Sequence, residues 1–235
     1  MHMKSSCREF ITKELLSCVK RTIERTSKAA TYQPFHQAIF SEEALFWSKF
    51  ERSFSTSFGQ GVIEKITLAA ALDNGATAAN NQKVTNVTLS SSQIESINKH
   101  ISDLRERKLN RQPNWTLDLS SIQEASSANP TSHRVISDLW WNKDGIDHYM
   151  SIKTVKPNID QTAEAKRDIL KLKLHDPACK VYFGLYYNPY GENKNDYAWS
   201  PPKGIFNFIE DPVVLIGSEY WNNVAGNGFY EELLE

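Results

Sequence analysis

The feature that most constrains the fold is a pair of β-forming segments separated by a tight-turn signal. Residues 134–141 have the sequence RVISDLWW and residues 148–155 have HYMSIKTV, both rich in β-branched and aromatic side chains. Between them lies NKDGID, whose Asp144-Gly145 step suits the left-handed backbone of a hairpin turn. A β-hairpin is therefore predicted, and Pro157 limits its second strand because proline has no N–H to donate.

The other segments predict helices before the hairpin and a helix between strands after it. This order favours an α/β or α+β architecture with a mixed sheet. Two segments of mostly polar or small residues, 76–92 and 120–133, are expected to be irregular. Helices are expected at residues 4–30, Ser41–Phe54, 57–75, 91–109, 158–174 and 218–224, and further strands at residues 179–187 and 213–217.

Length, charge and cysteine usage exclude several classes of protein. The 235 residues suffice for one domain, or for one domain with a helical extension. No run approaches the roughly 18 apolar residues of a membrane span, and the N-terminus lacks a signal-peptide core, so a cytoplasmic protein is expected. Three widely spaced cysteines exclude a disulfide framework. A net charge of −1 excludes a generally basic surface but allows a local basic cleft.

Two charged residues interrupt the predicted strands of the hairpin. Asp138 lies within VISDLWW and Lys153 within MSIKTV, and an unpaired charge is costly to bury. Side chains alternate along a strand, so Ser151 and Lys153 share a face, and Asp138 on the neighbouring strand is expected to face the same cleft. Metal-dependent nucleases need this arrangement, because carboxylates hold a divalent cation such as magnesium while a lysine contacts the attacking water.

The second acid of such a site is missing from its expected position, which Ser151 occupies. Glu164 follows Lys153 by eleven residues, and helical side chains project toward the N-terminus. We therefore expect Glu164 to be the substitute ligand; the alternative is a solvated glutamate paired with Lys166 or Arg167.

The segment SIKTVKPNIDQTAEAKRDIL (151–170) resembles the TdeIII/MjaII type of type II restriction endonucleases, within the PD-(D/E)xK superfamily. Further similar pieces are SFGQGVIE (57–64), VYFGLYYNPYG (181–191) and the C-terminal residues 217–235. The resemblance implies cleavage of double-stranded DNA at a short palindrome, GGNCC-like, by a homodimer. It also implies Mg²⁺ as cofactor, with Mn²⁺ as a substitute, and no nucleotide cofactor, in a prokaryotic cytoplasm.

The resemblance also implies a fold and a set of site residues. The expected fold is a PD-(D/E)xK core over residues 57–235, with a mixed central sheet flanked by helices and an insertion at about 76–132. A helical region, 1–56, precedes it. Many members carry a glutamate on the helix before the sheet, so Glu64 either faces the site or is merely exposed. The expected catalytic residues are Asp138, Lys153, Glu164 and Glu64, and the expected metal ligands are Asp138, Glu164 and Ile152.

Basic and amide side chains near the site are candidates for DNA contact. Asn158 and Gln161 either read base edges or form a helix capping box, and the structural role is favoured for Asn158. Two other functions remain open: a structure-specific repair or junction nuclease of the same fold, and a DNA-binding module whose nuclease core has degraded. The expected phosphate contacts are Lys156, Lys166, Arg167, Arg105 and Arg107.

Overall fold

The structure is a computed structural model that describes residues 2–28, 32–123, 129–200 and 204–235. None of the helices in these ranges is long and apolar enough to cross a membrane. The helices are α1 Ser5–Lys28, α2 Pro34–Ile39, α3 Glu42–Ser57, α4 Ile63–Asp73, α5 Ser91–Arg105, α6 Trp115–Gln123, α7 Ile159–His175, α8 Ser218–Ala225 and α9 Phe229–Leu234, with a π-helical turn at Phe58–Val62 and a 3-10 turn at Lys194–Asp196. The strands are β1 Ala78–Ser90, β2 Pro130–Lys143, β3 Ile146–Lys153, β4 Lys180–Leu185 and β5 Val214–Ile216.

The five strands form one mixed sheet in the order β1-β2-β3-β4-β5. The first three strands are antiparallel to their neighbours, while β3, β4 and β5 run parallel, with α7 as the crossover between β3 and β4. The predicted hairpin is confirmed as β2 and β3, with Trp140 opposite Tyr149. Asp144 and Gly145 adopt φ values of 53° and 75°, as the turn requires. The α+β class with a mixed sheet is therefore confirmed.

The prediction that residues 76–92 are irregular is wrong, because these residues contain the long strand β1. This strand pairs with β2 from Ala78–Asn142 to Ser90–Pro130. It lies at the edge of the sheet, and its first nine residues are exposed or half-buried, so polar side chains are tolerated there. The prediction that residues 120–133 are irregular is wrong at both ends, because α6 extends to residue 123 and residues 130–133 belong to β2. Residues 124–128 lie outside the described residues.

The sheet separates two hydrophobic cores. Tyr149 and Phe183 face a core that is closed by α5, α6 and α7, whereas Met150 and Tyr182 face a second core that is closed by α1, α4 and α8. Neighbouring residues of one strand thus enter opposite layers, as the period of two requires. The three cysteines are free and buried. The expected helix at 4–30 corresponds to α1, while residues 29 and 30 lie outside the described residues.

Capping side chains fix where two of the predicted helices begin. Ser41 Oγ accepts a hydrogen bond from the Ala44 N–H at 3.2 Å and starts α3. At the start of α7, Asn158 Oδ1 accepts from the Gln161 N–H at 2.8 Å, and Gln161 Oε1 accepts from the Asn158 N–H at 3.2 Å. The predicted capping box is confirmed. It fixes the place where α7 begins, six residues after the end of β3.

Candidate active site

The candidate active site lies where β2 and β3 stop pairing. Their ladder ends at Leu139 and Met150, and Asp138 is the next residue along β2. One carboxylate oxygen, Asp138 Oδ2, accepts from the Ile152 N–H at 2.7 Å, from Lys153 Nζ at 2.9 Å and from Ser151 Oγ at 3.2 Å. The carboxylate therefore takes the place of a missing strand partner. The predicted meeting of the Asp138 and Lys153 side chains is confirmed by this contact.

A second carboxylate reaches this cluster from α4 by way of Gln82 on β1. Gln82 Nε2 donates to Glu64 Oε2 at 3.0 Å and to Asp138 Oδ1 at 3.4 Å. Burial raises the pKa of Glu64; the Gln82 hydrogen bond opposes this rise, the Asp138 charge adds to it, and Lys153 opposes it. Of the two glutamates considered from the sequence, Glu64 is thus the one joined to Asp138.

The Asp138–Lys153 pair remains accessible to solvent. The side chain of Lys153 is 24% exposed and that of Asp138 is 19% exposed. Each group is sheltered enough for its charge to be weakly screened and open enough to be reached from outside. Among the described residues, Oδ2 of Asp138 has three donors, whereas Oδ1 has only the long contact from Gln82. That oxygen retains lone pairs that are free for a further partner.

The donor set fits a hard divalent cation of the magnesium type. Within the described part of the chain, no group of three or more His, Cys, Asp or Glu side chains is placed to hold a metal ion. The carboxylates of Glu64 and Asp138 remain, bridged by one amide. Magnesium is commonly bound through one or two carboxylates, with water and substrate phosphate completing its shell. Ile152 gives its N–H to Asp138, and its expected role as a metal ligand stays a prediction.

Glu164, which the sequence predicts as the second metal ligand, forms an ion pair on the exposed side of α7. Its carboxylate pairs with Arg167 one turn further along α7, and its side chain is 60% exposed. Thr162, Ala163 and Ala165 are buried, so the helical period turns position 164 outward. The alternative of a solvated, ion-paired glutamate is the observed arrangement, and the carboxylate beside Asp138 comes from α4 instead.

The expectation that Lys166 contacts DNA phosphate is wrong. Its side chain is fully buried, its ammonium pairs with Asp118 of α6, and Nζ donates to the Ile205 carbonyl at 2.6 Å. Asp118 is also fully buried and accepts from Arg111 at 2.6 Å. A buried ammonium needs such a carboxylate, because an unpaired charge inside a protein is strongly destabilising.

The other candidates for DNA contact lie on or near the exposed side of α7. Arg105 pairs with Asp160, and Arg167 contacts Asn98 Oδ1 at 3.2 Å besides Glu164. These arginines are partly exposed, so their predicted phosphate contacts remain open.

Lys156 lies over two aromatic rings, and Arg107 lines a cleft. The Lys156 ammonium lies 5.5 Å from the Tyr190 ring centroid and 5.7 Å from that of Trp199, which are cation–π distances. Arg107, together with Arg111, lines an open cleft of about 400 Å³. The phosphate contacts expected of Lys156 and Arg107 stay predictions.

Sequence reasoning missed Gln82, which connects the two carboxylates. The residue lies in the polar segment 76–92, whose composition predicts an irregular connection. The available signal was the β-branched composition of the next residues, KVTNVTL at 83–89, which favours a strand. A strand there places its residues beside β2 and its Asp138.

Comparison with known proteins supplies evidence that is independent of this geometry. The family model described as "Type II restriction endonuclease, HinfI" matches residues 3–235. Three type II restriction enzymes of Herpetosiphon aurantiacus are similar to the chain. HgiCII is 29% identical over 209 residues, which cover 86% of this chain and 75% of that enzyme. HgiEI and HgiBI are 29% and 28% identical over 215 residues, covering 89% of this chain and 77% of each enzyme. No solved structure matches significantly.

Proposed function

This chain belongs to the HinfI family of type II restriction endonucleases, and from that premise we propose that it hydrolyses phosphodiester bonds of double-stranded DNA with magnesium at a short palindromic site. One observation carries the proposal: the Asp138 carboxylate lies 2.9 Å from the Lys153 ammonium, and both groups are partly exposed at the point where two strands diverge. Glu64 stands beside them through Gln82. An accessible lysine next to two carboxylates is what phosphodiester hydrolysis with a hard cation needs.

Each of the three charged residues has a distinct proposed role. Asp138 and Glu64 hold Mg²⁺, for which Mn²⁺ substitutes, through their carboxylate oxygens. When bound, this cation supplies Lewis-acid stabilisation of the negative charge on the phosphoryl group. Lys153 orients the attacking water and stabilises the charge that develops on the phosphate in the transition state. Ser151 and the Ile152 N–H hold the Asp138 carboxylate in place through their hydrogen bonds.

The family model names the HinfI type and gives no target sequence, so the proposed target and assembly rest on the resemblance to TdeIII/MjaII-type enzymes. The target is a short palindrome of the GGNCC type, cut by a homodimer in a prokaryotic cytoplasm. A palindrome has twofold symmetry, which a twofold-symmetric dimer matches. Lys156, Arg167, Arg105 and Arg107 are the proposed phosphate contacts, which set the position of the protein on DNA without reading its sequence.

The test is incubation of the purified protein with a mixture of plasmid DNAs, with Mg²⁺ or with EDTA, followed by sequencing of the fragment ends. We expect discrete fragments whose ends share one palindrome, only with the metal, and no fragments from Lys153→Ala protein. Ends without a common sequence would instead support a structure-specific nuclease. DNA binding without cleavage in Mg²⁺ and in Mn²⁺ would indicate an inactive binding module.

A further inference from the structure

Gln82 has an unfavourable backbone conformation in the middle of a strand. Its φ is 52°, in the left-handed region that residues with a Cβ rarely adopt. The pairs Asn81–Leu139 and Lys83–Ser137 place it directly opposite Asp138, and the regular pairing is interrupted only there. Strained residues of this kind persist where surrounding contacts hold them, and they cluster at functional sites.

The two strands exchange faces at this position. Val87 belongs to the core under α5 and α7, whereas Ala79 packs against the core under α1 and α4. The two residues should share a face, because their sequence positions differ by an even number. On β2, Val135 and Leu139 are divided in the same way. Regular alternation would keep each pair on one face. The irregularity is therefore shared by both strands and is centred on the pair of Gln82 and Asp138.

The side chain of Gln82 contacts both carboxylates of the site at once. Its Nε2 lies 3.0 Å from Glu64 Oε2 and 3.4 Å from Asp138 Oδ1. A carboxamide carries a donor nitrogen and an acceptor oxygen at its two ends, and a half-turn about the last torsion exchanges them. As a donor, the amide relieves the repulsion between two neighbouring carboxylates. As an acceptor, it presents a neutral oxygen of the kind that hard cations bind.

We propose that Gln82 is a third protein ligand of the cation that Asp138 and Glu64 hold, through its side-chain carbonyl oxygen. The inference rests on the proposed function, since it assumes a cation between these carboxylates. It explains why a left-handed residue is kept at this point: that conformation, at the place where the strands exchange faces, puts the Gln82 amide between the two acids. Neither strand pairing nor core packing requires an amide there.

The experiment measures Mn²⁺ binding to the full-length protein without DNA, by the electron paramagnetic resonance signal of free Mn²⁺. Gln82→Leu, of similar size but without the oxygen, is expected to raise the Kd by about 10-fold or more. Gln82→Glu, which supplies a charged oxygen, should keep the Kd at or below the parental value. Gln82→Gly should weaken binding like leucine, yet raise the melting temperature in EDTA by a few degrees, roughly, because glycine tolerates this φ. Asn86→Leu, on the same strand, is the matched control and should bind like the parent.

Two outcomes would overturn the inference, and they are distinguishable from failure of the proposed function. If Asp138→Asn abolishes Mn²⁺ binding while Gln82→Leu binds like the parent, the cation site stands and Gln82 is not a ligand. If leucine and glutamate at position 82 weaken binding equally, Gln82 is a donor that positions the carboxylates rather than a ligand. If Asp138→Asn also binds like the parent, or the parent binds no Mn²⁺, the proposed cation site itself is overturned. Thermal melting of each variant checks that it is folded.

Discussion

Two of the aspartate–lysine pairs of the molecule, Asp138–Lys153 and Asp118–Lys166, differ in their exposure and in the number of their further partners. Asp138 and Lys153 are 19% and 24% exposed, whereas Asp118 and Lys166 are both fully buried. Asp138 keeps one oxygen with only a single long contact. The buried pair is saturated: Asp118 also accepts from Arg111, and Lys166 also donates to a backbone carbonyl. The difference teaches that access and free lone pairs, rather than residue types, separate the pair proposed to be catalytic from a structural one.

The electrostatics of Asp118 fit a structural role. Burial alone would raise its pKa, but the His100 ring, whose Nε2 lies 3.3 Å from Asp118 Oδ1, the Lys166 charge, and hydrogen bonds from Lys166 and Arg111 outweigh burial and hold the pKa well below its usual range. The carboxylate therefore stays ionised below the pH at which an ordinary aspartate takes up a proton. Its ion pair with Lys166 joins α6 to α7, and Lys166 Nζ in turn donates to the carbonyl of Ile205.

The largest expected effect comes from substitution of either residue of the accessible pair. Lys153→Ala and Asp138→Ala should each lower the cleavage rate by at least about 1000-fold, since positioning and charge stabilisation act as a unit. The free energy of unfolding should fall by only about 1–2 kcal/mol, because the pair is partly exposed. Single-turnover cleavage and urea unfolding measure the two quantities. Lys65→Ala, which removes a surface ion pair with Glu14, is the control and should behave like the parent. Near-normal cleavage by Lys153→Ala would refute the assignment of the site.

The buried pair should respond in the opposite way. Lys166→Met leaves the Asp118 carboxylate without its closest ammonium, and breaking a buried pair costs about 3–5 kcal/mol of unfolding free energy. Cleavage per folded molecule should remain close to the parental rate. Adding Asp118→Leu in the same chain should recover part of the loss, since no fully buried charge then remains unpaired and Arg111, the other partner of Asp118, is partly exposed. If Lys166→Met instead weakened DNA binding with an unchanged urea midpoint, Lys166 would be a DNA contact and the distinction between the pairs would fail.

A third comparison separates the two glutamates. Glu64→Gln should lower the cleavage rate by about 100-fold, equivalent to about 2.7 kcal/mol, because an amide replaces a carboxylate ligand. Glu164→Gln should stay within about 2-fold of the parent, since the side chain is exposed and its ion pair with Arg167 is weak. Both rates are measured at saturating Mg²⁺ and again at limiting Mg²⁺, where the Glu64 variant should fall further behind. If Glu164→Gln lowered the cleavage rate more than Glu64→Gln does, Glu164 on α7 would be the second ligand.

Local patterns were enough to predict the hairpin, its turn, the start of α7 and the meeting of Asp138 with Lys153. The period of two and the Asp144-Gly145 step act over a few residues, so they appear in the sequence directly. β1 was missed because an edge strand needs little apolar content and its polar residues resemble those of a loop. Gln82 was missed with it.

The errors on α7 have a different origin. Whether the ligand comes from Glu64 or Glu164 depends on how each helix is rotated against the sheet, which spacing after Lys153 does not determine. Lys166 was assigned to DNA although the helical period already groups it with buried Ile169 and Leu170. Its partner Asp118 lies 48 residues earlier, so the pairing that permits its burial has no local signal.

The smallest expected effect uses acid to distinguish the buried Asp118–Lys166 pair from His148, which stacks on Trp141. Burial lowers the pKa of His148 to about 4, with Lys180 and Lys143 adding to the shift. The unfolded chain takes up this proton near its ordinary pKa of 6.5, before the folded protein does. Stability present above pH 6.5 should therefore fall by about 1–2 kcal/mol toward pH 4, allowing for partial exposure.

The contribution of Asp118 should be lost only at lower pH. Its folded pKa is depressed, so its stabilisation is complete above the unfolded pKa of about 3.9 and is lost as pH falls through the folded value. His148→Phe keeps a ring against Trp141, whose centroid lies 4.6 Å from that of the histidine. Urea midpoints of this variant should be flat between pH 6.5 and 4 and should still fall below pH 4. An equal loss in parent and variant between pH 6.5 and 4 would show that another group titrates there, and would contradict the assignment of this loss to His148.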